Sequence, residues 1–578
     1  MKKTIVRRPL PEESPTFSSE LHPLLQRIYS SRGVLSPREI ENHLDHLLPY
    51  EKLSQINKAV TLLGEAVMKK EKILIVGDFD ADGATSSAVA VRALKSFGTT
   101  EVEFLVPNRF AFGYGLTPEL VEVAKSFKPA LIVTVDNGIA NHAGVTAAKT
   151  AGIQVLITDH HLPGATLPEA DAIVNPNQPG DIFPSKNLAG VGVIFYVMLA
   201  LRRHLTELQW FEQQGIAQPK MSRLLDLVAL GTVADLVPLD YNNRILVHQG
   251  IQRIRRGLCA PGILALLEIA GKSPATITAK DLGFSVAARL NAAGRMDDMS
   301  LGIQCLLHDD PKNAYEAAVK LNRLNEERRV VEHDMQESAF EILASFQGKN
   351  LQTLPKGVCL FQDSWHQGVI GILASRIKDR VHRPVIVFAP SGPGSDELKG
   401  SARSIPSVHI RDVLALVDAK SPALIKRFGG HAMAAGLTID RATYEEFSTV
   451  FNHVLSQIIR DEDLLHRVAS DGALEEDDLN LTIAEMLHNA GPWGQTFPEP
   501  LFDDEFHLLD QRLVANKHLK MVVAKGNRHL NAIAFNIDQA HWPDYHCQKI
   551  HAAYRLDIND YQNKRRVQLI MEHLERVS

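Results

Sequence analysis

Between residues 71 and 240 the apolar residues fall in short, nearly continuous runs: KILIV (72–76), VEFLV (102–106), ALIVTV (130–135) and IQVLIT (153–158). Stretches of helical period, 83–96, 117–127 and 141–151, alternate with them. β-Branched runs with no polar face, separated by helices, predict βαβ units and a parallel sheet covered on both sides. A further apolar segment, LLDLVALGTVADLVPL (224–239), reads as another run of the same kind.

The pattern changes along the chain. Residues 1–50 read as a helical lead-in, with a Ser36-Pro37 helix start, and 51–305 as the α/β unit. Within 306–350, the stretch 311–347 is charged, amphipathic and free of internal Gly or Pro. It predicts one helix of about 50 Å, an inter-domain strut rather than a core element. Residues 351–460 form a second mixed α/β segment, with strands near 357–361 and 384–388 and a helix at 368–380. After the acidic connector Asp461-Glu462-Asp463, alternating stretches at 519–524, 530–537, 550–558 and 566–574 predict an antiparallel β domain over 461–578, a small barrel.

Composition narrows the function classes. A chain of 578 residues with 45% hydrophobic and 22% charged residues is globular, neither disordered, fibrous nor a coiled coil. No window is apolar enough to span a membrane, and MKKTIVRRPLPEESP lacks the apolar core of a secretory signal. Cys259, Cys305, Cys359 and Cys547 lie far apart, which argues against a zinc knuckle or disulfide framework and fits a reducing cytoplasm. The net charge is −6. A polyanionic partner would therefore have to be met by local basic patches or metal ions.

Chemistry concentrates where the runs end. KILIV leads into GDFDADG, placing Asp78, Asp80 and Asp82 at a spacing of two before a helix that opens at Gly83. Three carboxylates so close raise one another's pKa unless a cation lies between them. Alone, a DxDxD is as readily a solvated acidic turn. Here, however, ALIVTV leads to Asp136-Asn137-Gly138, IQVLIT to Asp159-His160-His161, and the fourth segment contains Asp235. Ligands of open α/β sheets bind beyond the carboxyl ends of the strands, and four runs that each place a ligand type there argue against four unrelated turns. Carboxylates with one or two imidazoles and no thiolate select Mg²⁺ or Mn²⁺. A pair of such ions suits in-line displacement at phosphorus.

This motif set, with GTVAD ending at Asp235 and the later FGGHAMAAG (428–436), resembles the DHH phosphoesterase family and its associated second domain. The resemblance implies that Asp136 bridges two metal ions. Asp82, His160 and Asp235 would complete one ion's ligands, and Asp80, joined by Asp78, would serve the other. His161 would sit near the scissile phosphate. Many relatives carry a metal-binding His four residues before Asp80, where this chain has Val76. The length, the strut and the terminal β domain, similar to an OB-fold, also resemble the DNA-degrading members of that family, and the resemblance implies a single-stranded-DNA-specific 5′-to-3′ exonuclease releasing 5′-mononucleotides in recombination and repair. Implied partners are single-stranded DNA, single-strand DNA-binding protein and a DNA helicase, with the chain a monomer.

Other residues would hold the strand. ARLNAAGR reads as a small-residue loop carrying Arg289, which relatives place at the active site, with Asn291 and Arg295. LKGSARS and FGGHAMAAG read as turns. By resemblance, Ser401, Arg403 and Arg109 would grip a 5′ phosphate, with Gly430 and His431 facing the metals. Tyr114, Trp365, Phe535 and Tyr554 are candidate stacking residues, and Arg512, Lys517, Lys520, Arg555, Lys564, Arg565 and Arg566 supply charge to the barrel. A DHH phosphoesterase for small substrates would not need the barrel, and a catalytically dead DNA-binding relative should have lost ligands that all stand here.

Overall fold

The computed structural model describes residues 3–12, 15–108, 112–347, 354–392, 394–539, 541–561 and 564–577. Strand β1 (Lys3–Arg7) lies in the lead-in. The catalytic-side sheet comprises β2 (Ile73–Val76), β3 (Val102–Leu105), β4 (Leu131–Val135), β5 (Gln154–Thr158) and β6 (Ala172–Val174), in the order β3-β2-β4-β5-β6. All four pairings are parallel. Ile73 and Ile75 pack into one hydrophobic cluster and Leu74 and Val76 into another, so both faces of β2 are buried. The chain runs from β2 to β3 on one side and returns to β4 on the other. The order reverses between β2 and β4, where ligands of open α/β sheets collect.

Two expectations fail in this unit. The apolar run before Asp235 is a helix, Leu225–Ala234, not a strand. Eight of its ten residues are buried, and a helix apolar on every side gives the same uninterrupted pattern as a buried strand. ARLNAAGR is also helical (Ala288–Met296), because its small residues allow close packing: a Cβ on Gly294 would lie 1.8 Å from the Phe79 carbonyl oxygen.

The long helix Pro311–Gln347 is more than a strut. Ala318 and Leu321 enter the catalytic core, and Met335, Ala339 and Leu343 enter that of the second domain. That domain's sheet runs β10-β11-β9-β8-β7, with β7 (Val358–Phe361), β8 (Val385–Pro390), β9 (Glu397–Arg403), β10 (Arg427–Gly430) and β11 (Ala434–Asp440). LKGSARS is thus a strand where a turn was expected, and FGGHAMAAG is a hairpin, with its turn at 431–433 between β10 and β11; Gly, Ala and Ser conceal the β pattern.

The terminal domain is a closed barrel, β13-β14-β15-β17-β16, built from β13 (Phe502–Val514), β14 (His518–Lys525), β15 (Arg528–Ala534), β16 (Lys549–Tyr561) and β17 (Lys564–Arg576). The lead-in is only partly helical. Its β1 pairs in parallel with β12 (His466–Ser470), and the Arg7 guanidinium meets Asp503 at 3.0 Å. Among the described residues no helix is long and apolar enough to cross a membrane.

Candidate active site

Three loops at the carboxyl ends of the catalytic strands converge with the end of one helix. After β2 the chain reaches Asp78, 3% exposed, and Asp80 then caps the helix Ala81–Ser96. Asp80 Oδ1 accepts the amide N–H groups of Asp82 (2.9 Å) and Gly83 (3.0 Å). The three carboxylates therefore sit on a strand–cap–helix turn rather than along an extended segment. A Cβ at residue 83 would meet the Asp78 backbone at 2.6 Å, so this turn needs glycine.

Asp82 is fully buried at the start of a second helix, Gly190–Glu207. Its Oδ2 and Oδ1 accept from Gly190 N (2.7 Å) and Val191 N (3.0 Å), and the partial positive charge of a helix N-terminus favours an anion there. Asp136 follows β4 with a left-handed backbone, φ 63°. Non-glycine residues seldom adopt that conformation unless their surroundings enforce it. Here Asn137 Nδ2 donates to the carbonyls of Val76 (3.1 Å) and Val135 (2.9 Å), tying the turn to both central strands.

After β5, Asp159 Oδ1 accepts from His160 N (2.7 Å) and lies 2.7 Å from His161 Nδ1, while Oδ2 accepts from Ile139 N (2.9 Å). Burial would raise the Asp159 carboxyl, but the charge and hydrogen bond of His161 bring it down to about 2. Burial would likewise lower His161, and Asp159 instead holds it at about 9. Asp159 thus orients His161 and keeps it cationic.

The ligand atoms gather in three overlapping sets, each within 4.8 Å: Asp82 with His160 and Asp235, Asp78 with Asp80 and Asp136, and Asp136 with His160 and His161. His160 Nε2 faces Asp136 Oδ1 at 3.1 Å and Asp235 Oδ2 at 3.5 Å. Neither His160 Nε2 nor Asp136 Oδ1 has a hydrogen-bond partner of proper geometry among the described residues. Burial and Asp235 push Asp82 up to about 7, burial and Asp80 do the same to Asp235, and burial with Asp82 carries Asp136 well above the carboxylate range. Buried carboxylates this close require a positive charge to ionise together, and two orphaned lone pairs aimed at one space fit a hard divalent cation. Val76, fully buried in an apolar cluster, offers no side-chain ligand; Asp78 stands in the set on that side.

Family models match three segments: the DHH family N-terminal domain at residues 72–232, the DHHA1 domain at 354–457 and the RecJ OB domain at 470–573. The single-stranded-DNA-specific exonuclease RecJ of Salmonella typhimurium is 51% identical over 98% of both chains. That of Escherichia coli is 50% identical over 99% of this chain and 100% of its own. The chain belongs to the RecJ family. A crystal structure of RecJ from Thermus thermophilus in complex with Mn²⁺ superposes with a TM-score of 0.77 at 30% identity, covering 97% of this chain and 76% of that one. A second, in complex with Mg²⁺, gives 0.72 at 27% identity and covers 97% and 75%.

In this RecJ-family chain the second domain closes over the metal sets. The His431 ring stacks on that of His161, and Gly430, at φ 144°, passes so close to Ala434 that a Cβ would lie 2.5 Å from its carbonyl oxygen. Tyr114 donates from its hydroxyl to Asp136 O (3.1 Å), with its ring edge-on to Phe79 and His161. On β9, Arg403 donates to Ser401 Oγ (3.1 Å) and Ser375 Oγ (3.2 Å). A Cβ on Gly371, in the first turn of the helix Ile370–Val381, would lie 2.9 Å from Arg403 Nη2 and 3.0 Å from Ser401 Oγ. A half-buried guanidinium, two hydroxyls and a helix N-terminus thus share one pocket, and burial holds the Arg403 pKa below its usual value. Arg295 donates to Gly368 O (3.3 Å), joining the two domains.

Some expected residues lie elsewhere. Arg289 donates to Ser285 O and Asn322 Oδ1, towards the long helix, whereas Asn291 Oδ1 accepts from Ala81 N (2.9 Å) beside the acidic turn. Two residues apart on a helix lie on nearly opposite faces. Trp365 is buried in the second domain's core and Tyr554 in the barrel, its hydroxyl donating to Asp504, so neither can stack on a base. Arg109 lies outside the described residues. Sequence reasoning missed Ser375, Gly371 and the Gly190 N-terminus, whose only signal is the GVGV that opens an apolar helix.

Proposed function

We propose that this chain is a metal-dependent exonuclease that degrades single-stranded DNA from 5′ to 3′ into 5′-mononucleotides, in recombination and repair. The observation that supports this reading is a single cleft lined by both Arg403 and Asn291, the latter bonded to Ala81 beside the acidic turn. A terminal phosphate seated at Arg403 would present the next phosphodiester to the acidic cluster. A pocket that closes on a chain end selects ends over interior bonds.

Asp78, Asp80, Asp82, Asp136, His160 and Asp235 would hold two Mg²⁺ or Mn²⁺ ions. Bound there, the ions would supply an activated water and neutralise charge developing on the phosphate. His161, cationic and oriented by Asp159, would donate to a non-bridging phosphate oxygen. Tyr114 and His431 would narrow the entry, Arg295 would hold the domains at working distance, and the barrel would bind the strand further from the cut. Arg289 would act through the long helix rather than on the phosphate. Arg109 would join Arg403 and Ser401 on the terminal phosphate. The family resemblance also supports single-strand DNA-binding protein and a helicase as partners, a monomeric state and a cytoplasmic location.

The test is an oligonucleotide labelled at either end, incubated with Mn²⁺ or Mg²⁺ beside a duplex control. Labelled mononucleotide released at once from the 5′ end, with duplex intact, is the expected result. Cleavage of dinucleotides alone would move the chain to small substrates, and binding without cleavage would make it an inactive scaffold.

A further inference from the structure

A cleft of about 730 Å³ lies between the catalytic domain, the second domain and the segment before the barrel, and Arg255, Arg295, Arg403 and Arg555 are among the cations that line it. Two carboxylates stand with them among the described residues, Asp379 and Glu499. Asp379 is turned to its own neighbour, its Oδ1 lying 2.6 Å from Lys378 Nζ. Glu499 instead faces cations of the cleft wall. Its Oε2 lies 3.3 Å from Arg555 Nε of the barrel and 3.9 Å from Lys280 Nζ of the catalytic domain.

The backbone holds this carboxylate in place. Pro498 and Pro500 flank it, and each proline ring fixes one φ. Pro498 O accepts from Arg32 Nε (2.8 Å), and Leu501 N donates to Asp471 Oδ2 (3.0 Å). Arg32 and Asp471 are themselves a buried pair, 2.8 Å apart with side chains 1% exposed. The ion pairs that Glu499 makes are of the opposite kind. Its side chain is 44% exposed and that of Lys280 54%, and pairs so open to water contribute little to stability. A carboxylate mounted this rigidly, in pairs that stabilise so little, is poorly explained as a brace between domains.

We propose that Glu499 is an internal stand-in for one phosphate of the bound strand, a residue that occupies Arg555 and Lys280 in the empty cleft and competes with the strand for them. The chemistry is the exchange of one anion for another on the same cations. Arg555 keeps its position through the exchange, because Glu572 Oε1 holds its Nη2 at 2.9 Å. As each phosphate moves on, the carboxylate takes the cations back, so the strand is never held tightly at this point and can advance after a cut. The proposal rests on the exonuclease reading and adds to it a residue that opposes binding.

The test compares the full-length wild type with Glu499→Gln, which keeps the side chain's size and removes its charge. Affinity for a fluorescent 5′-phosphorylated single strand is read by anisotropy in EDTA at stepped KCl concentrations. Glu499→Gln should bind about 5- to 10-fold more tightly at low salt, and the slope of log affinity against log salt should steepen by about 0.7, the value of one more phosphate contact on a single strand. Adding Arg555→Gln should return affinity and slope to those of the wild type. In Mn²⁺, Glu499→Gln should cut the same strand with KM lowered by a similar factor, and should release more nucleotides per encounter when heparin traps free enzyme.

Weaker binding by Glu499→Gln, with or without a lower thermal midpoint, makes the carboxylate a brace and overturns the proposal. Unchanged affinity and slope overturn it too, as does a gain that survives Arg555→Gln. A wild type that cuts no strand in Mn²⁺ overturns the exonuclease reading itself, a failure read in the cleavage assay rather than in the binding one.

Discussion

The rings of His161 and His431 stack with centroids 6.0 Å apart and planes inclined by 23°, although one follows a strand of the catalytic sheet and the other a strand of the second domain. The two domains meet at the point of chemistry. His431→Ala should reduce kcat more than it weakens strand binding, by up to about 100-fold, the scale on which a small misplacement of the adjoining His161 ring is felt. Single-turnover cleavage set beside binding by fluorescence anisotropy separates the two effects.

Asp136→Asn keeps a residue that tolerates the left-handed backbone while removing the shared charge. Hydrolysis should fall by at least about a thousandfold, the scale on which a centre of electrostatic stabilisation is lost. Strand binding should stay within a few-fold. Retained mononucleotide release would remove Asp136 from the bridging role.

Without metal, the acidic cluster destabilises the fold in a defined pH window. Asp235 has a folded pKa of about 7 against an ordinary 3.8. The folded chain therefore binds more protons than the unfolded chain between those values, and stability falls as pH rises through them. In EDTA, Asp235→Asn should match the wild type near pH 4 and gain on it progressively towards pH 7. Thermal melts at stepped pH measure the difference, and a gap independent of pH would contradict the assigned shift.

Arg403→Ala should erode the preference for a phosphorylated 5′ end, because the charge-assisted contact it offers is worth roughly 10- to 100-fold. The measured quantity is the ratio of rates on phosphorylated and hydroxyl ends; an unchanged ratio would exclude the pocket role.

Asp159→Asn removes the group that holds His161 at about 9. The alkaline limb of the kcat profile should move to lower pH while affinity for the strand changes little. A profile that falls in height without shifting would mean Asp159 serves only the fold.

Much of the site is legible in the sequence because three of its loops follow parallel strands, where each uninterrupted apolar run announces its own carboxyl end. Asp235 is equally visible, but its support is not, since an all-round buried helix and a buried strand share one hydrophobic pattern. Arg289 and Asn291 show the cost of that ambiguity: read as a loop, either can face the acids, whereas on the helix Ala288–Met296 only Asn291 contacts the acidic turn. Gly, Ala and Ser let β9 to β11 pack closely, and that same smallness hides the strands.

The pairing of β1 with β12 has a consequence for synthesis on the ribosome. The catalytic sheet needs nothing beyond its own neighbourhood in the chain, so it can fold while the rest is still being made. The strand Lys3–Arg7 must wait for His466–Ser470, and contacts of such long range form late. The nascent chain would thus hold its acidic cluster before the lead-in strand is joined to the terminal domain.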